Sequence, residues 1–206
     1  MDNTAVPAYR PIDPEGLVVT CAEKCAALPG QPVVGIDGAV AARPDQVALR
    51  VAEVLRSRGR AAEVVRVADY VRPASLRLEW GPHDAEAFTT SWYDFAALRR
   101  EVLDGLRDRQ RWLPRLWDEL SDRSFRDQRR EAAPGQVTLI AGEMVLRDDL
   151  DLDLRIALRM GRAALERRTP ADRRWTIDPL LDHQRTAPDP DVEIRYDHPD
   201  RPALRV

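Results

Sequence analysis

The sequence contains very little lysine. Among its 32 basic residues, Lys24 is the single lysine and all the others are arginines. Any chemistry that requires a lysine ammonium group must therefore use Lys24 or do without one.

A surplus of positive charge is also missing. The chain has 32 basic and 35 acidic residues, which gives a net charge of -3. Proteins that bind nucleic-acid backbones or anionic membranes through charge need a basic surplus. The balance therefore predicts no nucleic-acid partner and no membrane partner.

Long hydrophobic runs are absent as well. No stretch of about 18 apolar residues occurs, so no membrane-spanning helix is predicted. The first residues, MDNTAVPAYRPID, lack the charged and then apolar pattern of a secretory signal. We therefore expect a cytoplasmic protein. A length of 206 residues with 44% hydrophobic composition fits one globular domain with its own core.

The chain has only two cysteines, Cys21 and Cys25, and their spacing places them on one face of a predicted helix. Asp13 is placed to cap that helix and Pro14 to occupy its first position. A metal site would need two further ligands, and the three histidines, at positions 83, 183 and 198, are scattered. We therefore interpret the cysteines as buried thiols and predict no metal site.

Beyond residue 30, short apolar runs alternate with longer helical patterns, which is typical of a parallel α/β sheet. The predicted strands cover residues 32–37, 62–67, 137–141, 152–158 and 192–196. The predicted helices cover residues 44–58, 96–106, 159–168 and 170–185, and a short tail follows the last strand. We expect a three-layer α/β domain with a mostly parallel five-stranded sheet over residues 31–206, preceded by an N-terminal helix and extension over residues 1–30.

The first predicted strand continues into the segment GIDGAVAARPDQ, which begins at Gly35. A strand, a glycine-containing turn and a helix in this order are typical of phosphate sites, because backbone N–H groups at the helix start point towards a bound anion. The candidate nucleotide-binding residues are Gly35, Asp37, Gly38, Arg43 and Asp45. The same segment also suits an ordinary helix start, with proline first and an acid in the first turn.

This segment resembles the phosphate-binding loop of the uridine kinase branch of P-loop kinases, in which a GIDG-like sequence continues through G-x-x-x-x-G-K-[ST]. In that alignment Arg43 replaces the second glycine, Pro44 the lysine and Asp45 the magnesium-binding hydroxyl. The proline removes a charge and a backbone N–H, and the aspartate adds a negative charge beside the phosphates. The resemblance therefore implies a P-loop NTPase-type fold with a degenerate Walker A loop. Arg43 remains available as a cation in place of the lysine.

The segment RVADYVRPASLRLEWG, from Arg66, resembles the same kinases, in particular their actinobacterial members. The resemblance implies that the base acting on the sugar hydroxyl would stand where this chain has Ala68, so Asp69 becomes the candidate catalytic residue. Arg72, from the same motif, is a candidate for substrate binding. Successive strand residues point to opposite faces, so Asp69 would need a backbone bulge to reach the site.

Two connectors rich in tryptophan resemble the nucleoside-contacting region of these kinases. SWYDFAALRREVLDGL contains Asp94, which is a candidate for binding ribose hydroxyls, although capping of the following helix is the simpler interpretation. LPRLWDELSDRSFR contains the substrate-binding candidates Trp117 and Arg123. The tryptophans at positions 80, 92, 112 and 117 either stack on a planar base or belong to the core.

The segment VTLIAGEMVL resembles a strand that ends in an acid in these kinases, with Ala141 in the place of that acid and Glu143 two residues later. An arginine-rich region follows and resembles a lid that closes on phosphate, with a solvated helix face as the alternative. Its candidate residues are Arg159, Arg162, Arg167 and Arg168, followed by Arg173 and Arg174. If the acids at positions 45, 69 and 143 meet at the strand ends, their negative charges favour a bound cation over a bound triphosphate there.

The leading hypothesis is a uridine-kinase-like protein that binds a nucleoside-like or phosphorylated small molecule, with weak or absent ATP-dependent phosphotransfer. The first alternative is an active nucleoside or small-molecule kinase that uses Arg43 in place of the loop lysine. ATP and Mg²⁺ are expected as cofactors only in that case. The second alternative is an interaction or structural protein with an empty pocket. A homo-oligomer is compatible with all three hypotheses.

Overall fold

The computed structural model describes residues 8–206. Its strands are Tyr9–Pro11 (β1), Val33–Asp37 (β2), Ala62–Arg66 (β3), Arg111–Trp112 (β4), Trp117–Asp118 (β5), Arg123–Ser124 (β6), Arg130–Glu131 (β7), Val137–Gly142 (β8), Leu154–Arg159 (β9), Val192–Arg195 (β10) and Ala203–Arg205 (β11). Its α-helices are Pro14–Ala26 (α1), Pro44–Ser57 (α2), Ala74–Arg77 (α3), Ala85–Thr90 (α4), Phe95–Leu98 (α5), Asp104–Arg109 (α6), Arg162–Arg168 (α7) and Ile177–Thr186 (α8). The other helical elements are the 3₁₀ helices Val40–Ala42, Val67–Asp69 and Ala171–Thr176 and the π-helix Arg99–Leu103. Within this range no helix has the length and apolarity needed to cross a membrane.

A seven-stranded sheet in the order β1-β11-β10-β9-β2-β8-β3 forms the centre of the molecule. The strands from β10 to β3 are mutually parallel, which confirms the predicted parallel five-stranded arrangement. In the middle of the sheet, Val34 of β2 lies opposite Leu139 of β8 and Leu154 of β9. The sheet is extended at one edge by β11 and β1, which pair antiparallel. Residues 203–205 were expected to belong to a tail, because a three-residue edge strand shows too little alternation to be recognised.

The central strand β2 is buried along its whole length. Both faces of such a strand are covered, so it forms a continuous apolar run. Gly35 lies in the middle of β2, where a Cβ atom would come within 2.6 Å of Leu152 Cδ1 and 3.0 Å of Val145 Cγ1. Close packing therefore favours a glycine at this position, two residues before the carboxyl end of the strand.

The N-terminal helix begins where the sequence predicts. The Asp13 side chain accepts a hydrogen bond from Gly16 N (2.7 Å), and Pro14 is the first residue of α1. Cys21 and Cys25 are buried, as expected, and burial raises the pKa of each thiol to about 12. Because α1 packs against α2, the described part of the N-terminal segment shares the core of the sheet domain.

Three predicted helices differ from the structure. The helix predicted over 96–106 consists of α5, the π-helical turn and α6. The helix predicted over 159–168 was wrong at its start: it begins at Arg162, because Arg159 is the last residue of β9 and pairs with Arg195 of β10. The helix predicted over 170–185 is a 3₁₀ turn followed by α8. Pairing with a neighbouring strand outweighs the helix preference of an arginine-rich sequence.

Candidate functional site

The carboxyl ends of β2, β8 and β9 lie side by side and carry the polar residues of the candidate site. The chain leaves β2 towards β3 at one edge of the sheet, whereas it leaves the neighbouring strand β9 towards β10 in the opposite direction. In open α/β sheets, a ligand crevice forms at such a reversal. Asp37 ends β2, Glu143 directly follows β8 and Arg159 ends β9.

The loop between β2 and α2 contains a left-handed residue, Arg43. This residue has φ 53° and ψ 55° and directly precedes Pro44, the first residue of α2. Glycine adopts this conformation freely, whereas another L-residue pays about 1–2 kcal/mol. Position 43 therefore has the backbone of a loop glycine but carries an exposed arginine.

Most backbone donors of this loop are used within the protein. Gly38 N donates to the carbonyl of Gly142 (3.0 Å), and the N–H groups of positions 42 and 43 donate to carbonyls of the loop itself (2.8 and 3.0 Å). Val40 N donates to the carboxylate of Glu143 (3.0 Å). Position 44 is a proline and has no N–H group. At positions 38, 40, 42, 43 and 44, an incoming anion thus finds no uncommitted backbone donor.

Glu143 is 3% exposed and lies against this loop. Its carboxylate accepts hydrogen bonds from Val40 N (3.0 Å) and Tyr93 Oη (2.7 Å), and Arg173 Nη2 lies 3.4 Å from Oε2. Burial raises the pKa of Glu143, while the Arg173 charge and the two hydrogen bonds oppose that rise. Burial also raises the pKa of Tyr93 well above its usual value, and the negative charge of Glu143 adds to the effect.

A cavity of about 280 Å³ opens beside the Glu143 carboxylate. A smaller cavity of about 140 Å³ lies on the side of Asp45. The residues that border both cavities are Val40, Ala68, Tyr93 and Glu143. The volume of the larger cavity, beside Glu143, is near the lower end of the range for small-molecule sites.

A second buried cluster surrounds Asp37 at the end of β2. Asp37 Oδ1 accepts a hydrogen bond from Val145 N (2.8 Å) and lies 3.3 Å from His183 Nε2. Arg159 Nη1 lies 3.9 Å from Asp37 Oδ2. The carboxylate is therefore already surrounded by protein groups. His183 comes from α8, 146 positions further along the chain, and no local motif identifies it as a partner of Asp37.

Asp69, the candidate catalytic residue, faces a different cleft. Its carboxylate forms two hydrogen bonds to the guanidinium of Arg66 (2.8 and 2.9 Å), in a cleft of about 290 Å³ that Asp45 also borders. Ala68 lines the cavity beside Glu143 instead. Ala68 and Asp69 lie in the 3₁₀ helix 67–69 and border different cavities, so the structure separates Asp69 from Glu143. Among residues 8–206, no three His, Cys, Asp or Glu side chains form a group that could hold a metal ion.

The candidate substrate-binding residues of the connectors lie outside the lining of the cavity beside Glu143. Asp94 caps α5, as the simpler interpretation predicts, by accepting a hydrogen bond from the first turn of that helix (2.8 Å). Trp117 is half-buried and donates its indole N–H to Asp122 (2.9 Å). Arg72 donates its backbone N–H to a carbonyl of the following connector (2.9 Å), and Arg123 is exposed in β6.

The candidate lid arginines bind to different partners. Arg162 pairs with an exposed aspartate of α8 (2.6 Å), and Arg167 donates to a carbonyl of its own helix (3.1 Å). Arg168 has a buried Nη1 atom to which the described residues offer no hydrogen-bond acceptor. Arg173, on the 3₁₀ turn after α7, approaches the carboxylate of Glu143 and borders its cavity.

The tryptophans divide between core and surface. Trp92 and Trp112 are 4% and 1% exposed, whereas Trp80 is 76% exposed. The Trp92 ring lies 5.5 Å from the Trp175 ring, and the Arg173 guanidinium lies 5.7 Å from the Trp92 centroid. This aromatic cluster therefore packs against Arg173, the lid candidate that borders the cavity.

The strand order, the strand–loop–helix unit at β2 and the crevice at the carboxyl ends define a fold of the P-loop kinase type. A structure described as a possible uridine kinase from Bacillus stearothermophilus is similar, with a TM-score of 0.65 and 15% identity over 85% of this chain and 96% of that chain. A structure assigned to a fructose transport system kinase from a Silicibacter species has a TM-score of 0.69 and 17% identity over 88% of this chain and 98% of that chain. At these identities the likeness demonstrates the fold. No family model and no curated protein sequence matches this chain.

Proposed function

We propose that this protein uses a kinase fold to bind a small molecule, nucleoside-like or phosphorylated, and that it transfers phosphate from ATP weakly or not at all. The observation that carries this proposal is the state of the loop between β2 and α2. At positions 38, 40, 42 and 43 the backbone N–H groups are bonded to protein acceptors, and position 44 has no N–H group. A triphosphate that used these donors would have to break existing bonds before it could bind.

The charges around the loop oppose a triphosphate as well. Asp37 and Glu143 are buried at the strand ends, and Asp45 lies in the first turn of α2. A negative charge about 4 Å from a phosphate costs about 4 kcal/mol per unit charge at an effective dielectric constant near 20. The loop has no lysine to offset the repulsion and carries Arg43 as its cation, while Arg173 and Arg159 already lie beside Glu143 and Asp37. These charges favour a ligand with less negative charge than a triphosphate.

The cavity beside Glu143 supports a small-molecule ligand. It lies at the carboxyl ends of the parallel strands, where ligands bind in sheets of this type. Its wall combines apolar groups such as Val40 with hydrogen-bonding groups from Tyr93, Glu119 and Arg173. A few polar groups in a largely apolar cavity are typical of sites that orient a ligand.

One observation favours an active kinase as the second candidate. Arg43 keeps the left-handed backbone that a phosphate loop requires, and its exposed guanidinium is a cation at the start of α2. Phosphoryl transfer depends mainly on positioning and charge neutralisation, so an arginine is chemically able to replace a lysine there. ATP and Mg²⁺ would be the cofactors of such an enzyme.

Calorimetry and a transfer assay separate these candidates. Under the proposed function, MgATP at millimolar concentration produces no binding heat, and uridine or cytidine with MgATP yields no labelled product. A thermal-shift screen of nucleosides and nucleotides should still reveal a stabilising ligand, since binding to the folded state raises the melting temperature. Magnesium-dependent phosphorylation that Asp69→Asn abolishes would refute the proposal in favour of the active kinase. A screen without any stabilising compound would favour an interaction protein with an empty pocket.

A further inference from the structure

The turn that carries Glu143 is strained and tied to the loop. Gly142 has φ 156°, and Met144, on the other side of Glu143, has φ 59°. A Cβ atom at position 142 would lie 2.6 Å from Val67 Cβ, so only glycine fits there. Gly142 O also accepts the hydrogen bond from Gly38 N (3.0 Å). Strained backbone of this kind persists where the surrounding structure holds a side chain in a required position.

The donors around Glu143 are those that usually bind a phosphate oxygen. They comprise a backbone N–H from the loop, the phenol of Tyr93 and the guanidinium of Arg173. Phosphate groups on proteins are commonly bound by backbone N–H groups, hydroxyls and arginine. Here all three donors meet a carboxylate that belongs to the chain itself.

We propose that Glu143 is an internal substitute for a bound phosphate and determines which ligands the cavity rejects. Its carboxylate takes the Val40 N–H that a polyphosphate would use, and its charge repels the several negative charges that a polyphosphate carries. Arg173 closes on this carboxylate, so the 3₁₀ turn at 171–176 is held against the cavity without a nucleotide. This inference rests on the proposed function, because it explains why a kinase fold would not retain a polyphosphate.

The test uses magnesium pyrophosphate as the probe and isothermal titration calorimetry as the measurement. Glu143→Ala removes the carboxylate, and Glu143→Gln removes only its charge. Both variants should bind pyrophosphate at least about tenfold more tightly than the unchanged protein, because a like charge is removed. Glu53→Gln is the matched control, since it removes the same charge at an exposed position of α2 that borders neither cavity. Its pyrophosphate affinity should stay within about twofold of the unchanged protein.

Tyr93→Phe separates loss of the Glu143 charge from a loosening of the cluster. It keeps the ring in the core and removes only the hydroxyl that donates to Glu143 (2.7 Å), so the charge stays and pyrophosphate affinity should not rise. Melting curves establish that each variant is folded. Folded Glu143 variants that bind pyrophosphate no better than the unchanged protein would overturn the inference and make Glu143 a purely structural residue, while leaving the proposed function intact. Phosphotransfer by the unchanged protein would instead contradict the proposed function.

Discussion

Replacing Arg43 by glycine and by alanine tests the left-handed backbone of the loop. Arg43 has φ 53°, and its exposed side chain makes no capping hydrogen bond. Both replacements therefore remove the same side chain and differ mainly in how they tolerate this conformation. The left-handed conformation costs alanine about 1–2 kcal/mol. Glycine avoids this cost, but its greater freedom in the unfolded chain lowers the stability of the folded protein by about 0.4–1 kcal/mol. We expect Arg43→Gly to be more stable than Arg43→Ala by about 0.5–1 kcal/mol.

Arg50 offers a matched control for that comparison. It is exposed in the interior of α2 and pairs with Glu15 at the surface (2.5 Å), and both replacements lose that pair equally. In a helix interior, alanine is more stable than glycine by about 1 kcal/mol. The order of the two variants should therefore be reversed between positions 43 and 50. Urea denaturation followed by circular dichroism measures the free energies of unfolding. If alanine is the more stable variant at both positions, the reasoning about Arg43 is wrong.

Two further predictions concern burial and capping. Cys21 and Cys25 should not react with a thiol reagent at about pH 8 in the folded protein, because burial raises both pKa values to about 12 and the thiolate is the reactive form. Both cysteines should react in urea. Rapid labelling of the folded protein would contradict their burial. Asp94→Ala should lower the free energy of unfolding by about 1 kcal/mol through loss of the α5 cap, whereas Asp94→Asn, which keeps a capping side chain, should lose less. Denaturation curves measure this difference, and a loss of ligand binding with unchanged stability would favour the ribose interpretation of Asp94 instead.

The elements that the sequence predicts well are those with a strong local pattern. The apolar run of β2 and the proline at the start of α2 mark both elements to within one or two residues. Asp13 and Pro14 likewise identify the start of α1. The boundary at Arg159 was wrong, because the pairing of β9 with β10 extends the strand into an arginine-rich segment whose local preference is helical.

The candidate site was only partly predictable for the same reason. The sequence identifies the turn between β2 and α2 and its residue types, since these depend on neighbouring residues. It does not reveal that Arg43 accepts a left-handed backbone, or that Asp69 turns towards Arg66 and away from the cavity of Glu143. The role of His183 beside Asp37 leaves no local trace either, because the two residues are 146 positions apart.

The amino-acid sequence by itself determined the alternation of strands and helices, the starts of α1 and α2 and the residue types in the loop between β2 and α2. These properties follow from periodicity and steric rules that act between near neighbours. The tertiary structure alone decided which group accepts the Val40 N–H, because Val40 and Glu143 are 103 positions apart and meet only when β2 and β8 pair. The contact between the loop and Glu143 therefore depends on long-range packing, which no local pattern specifies.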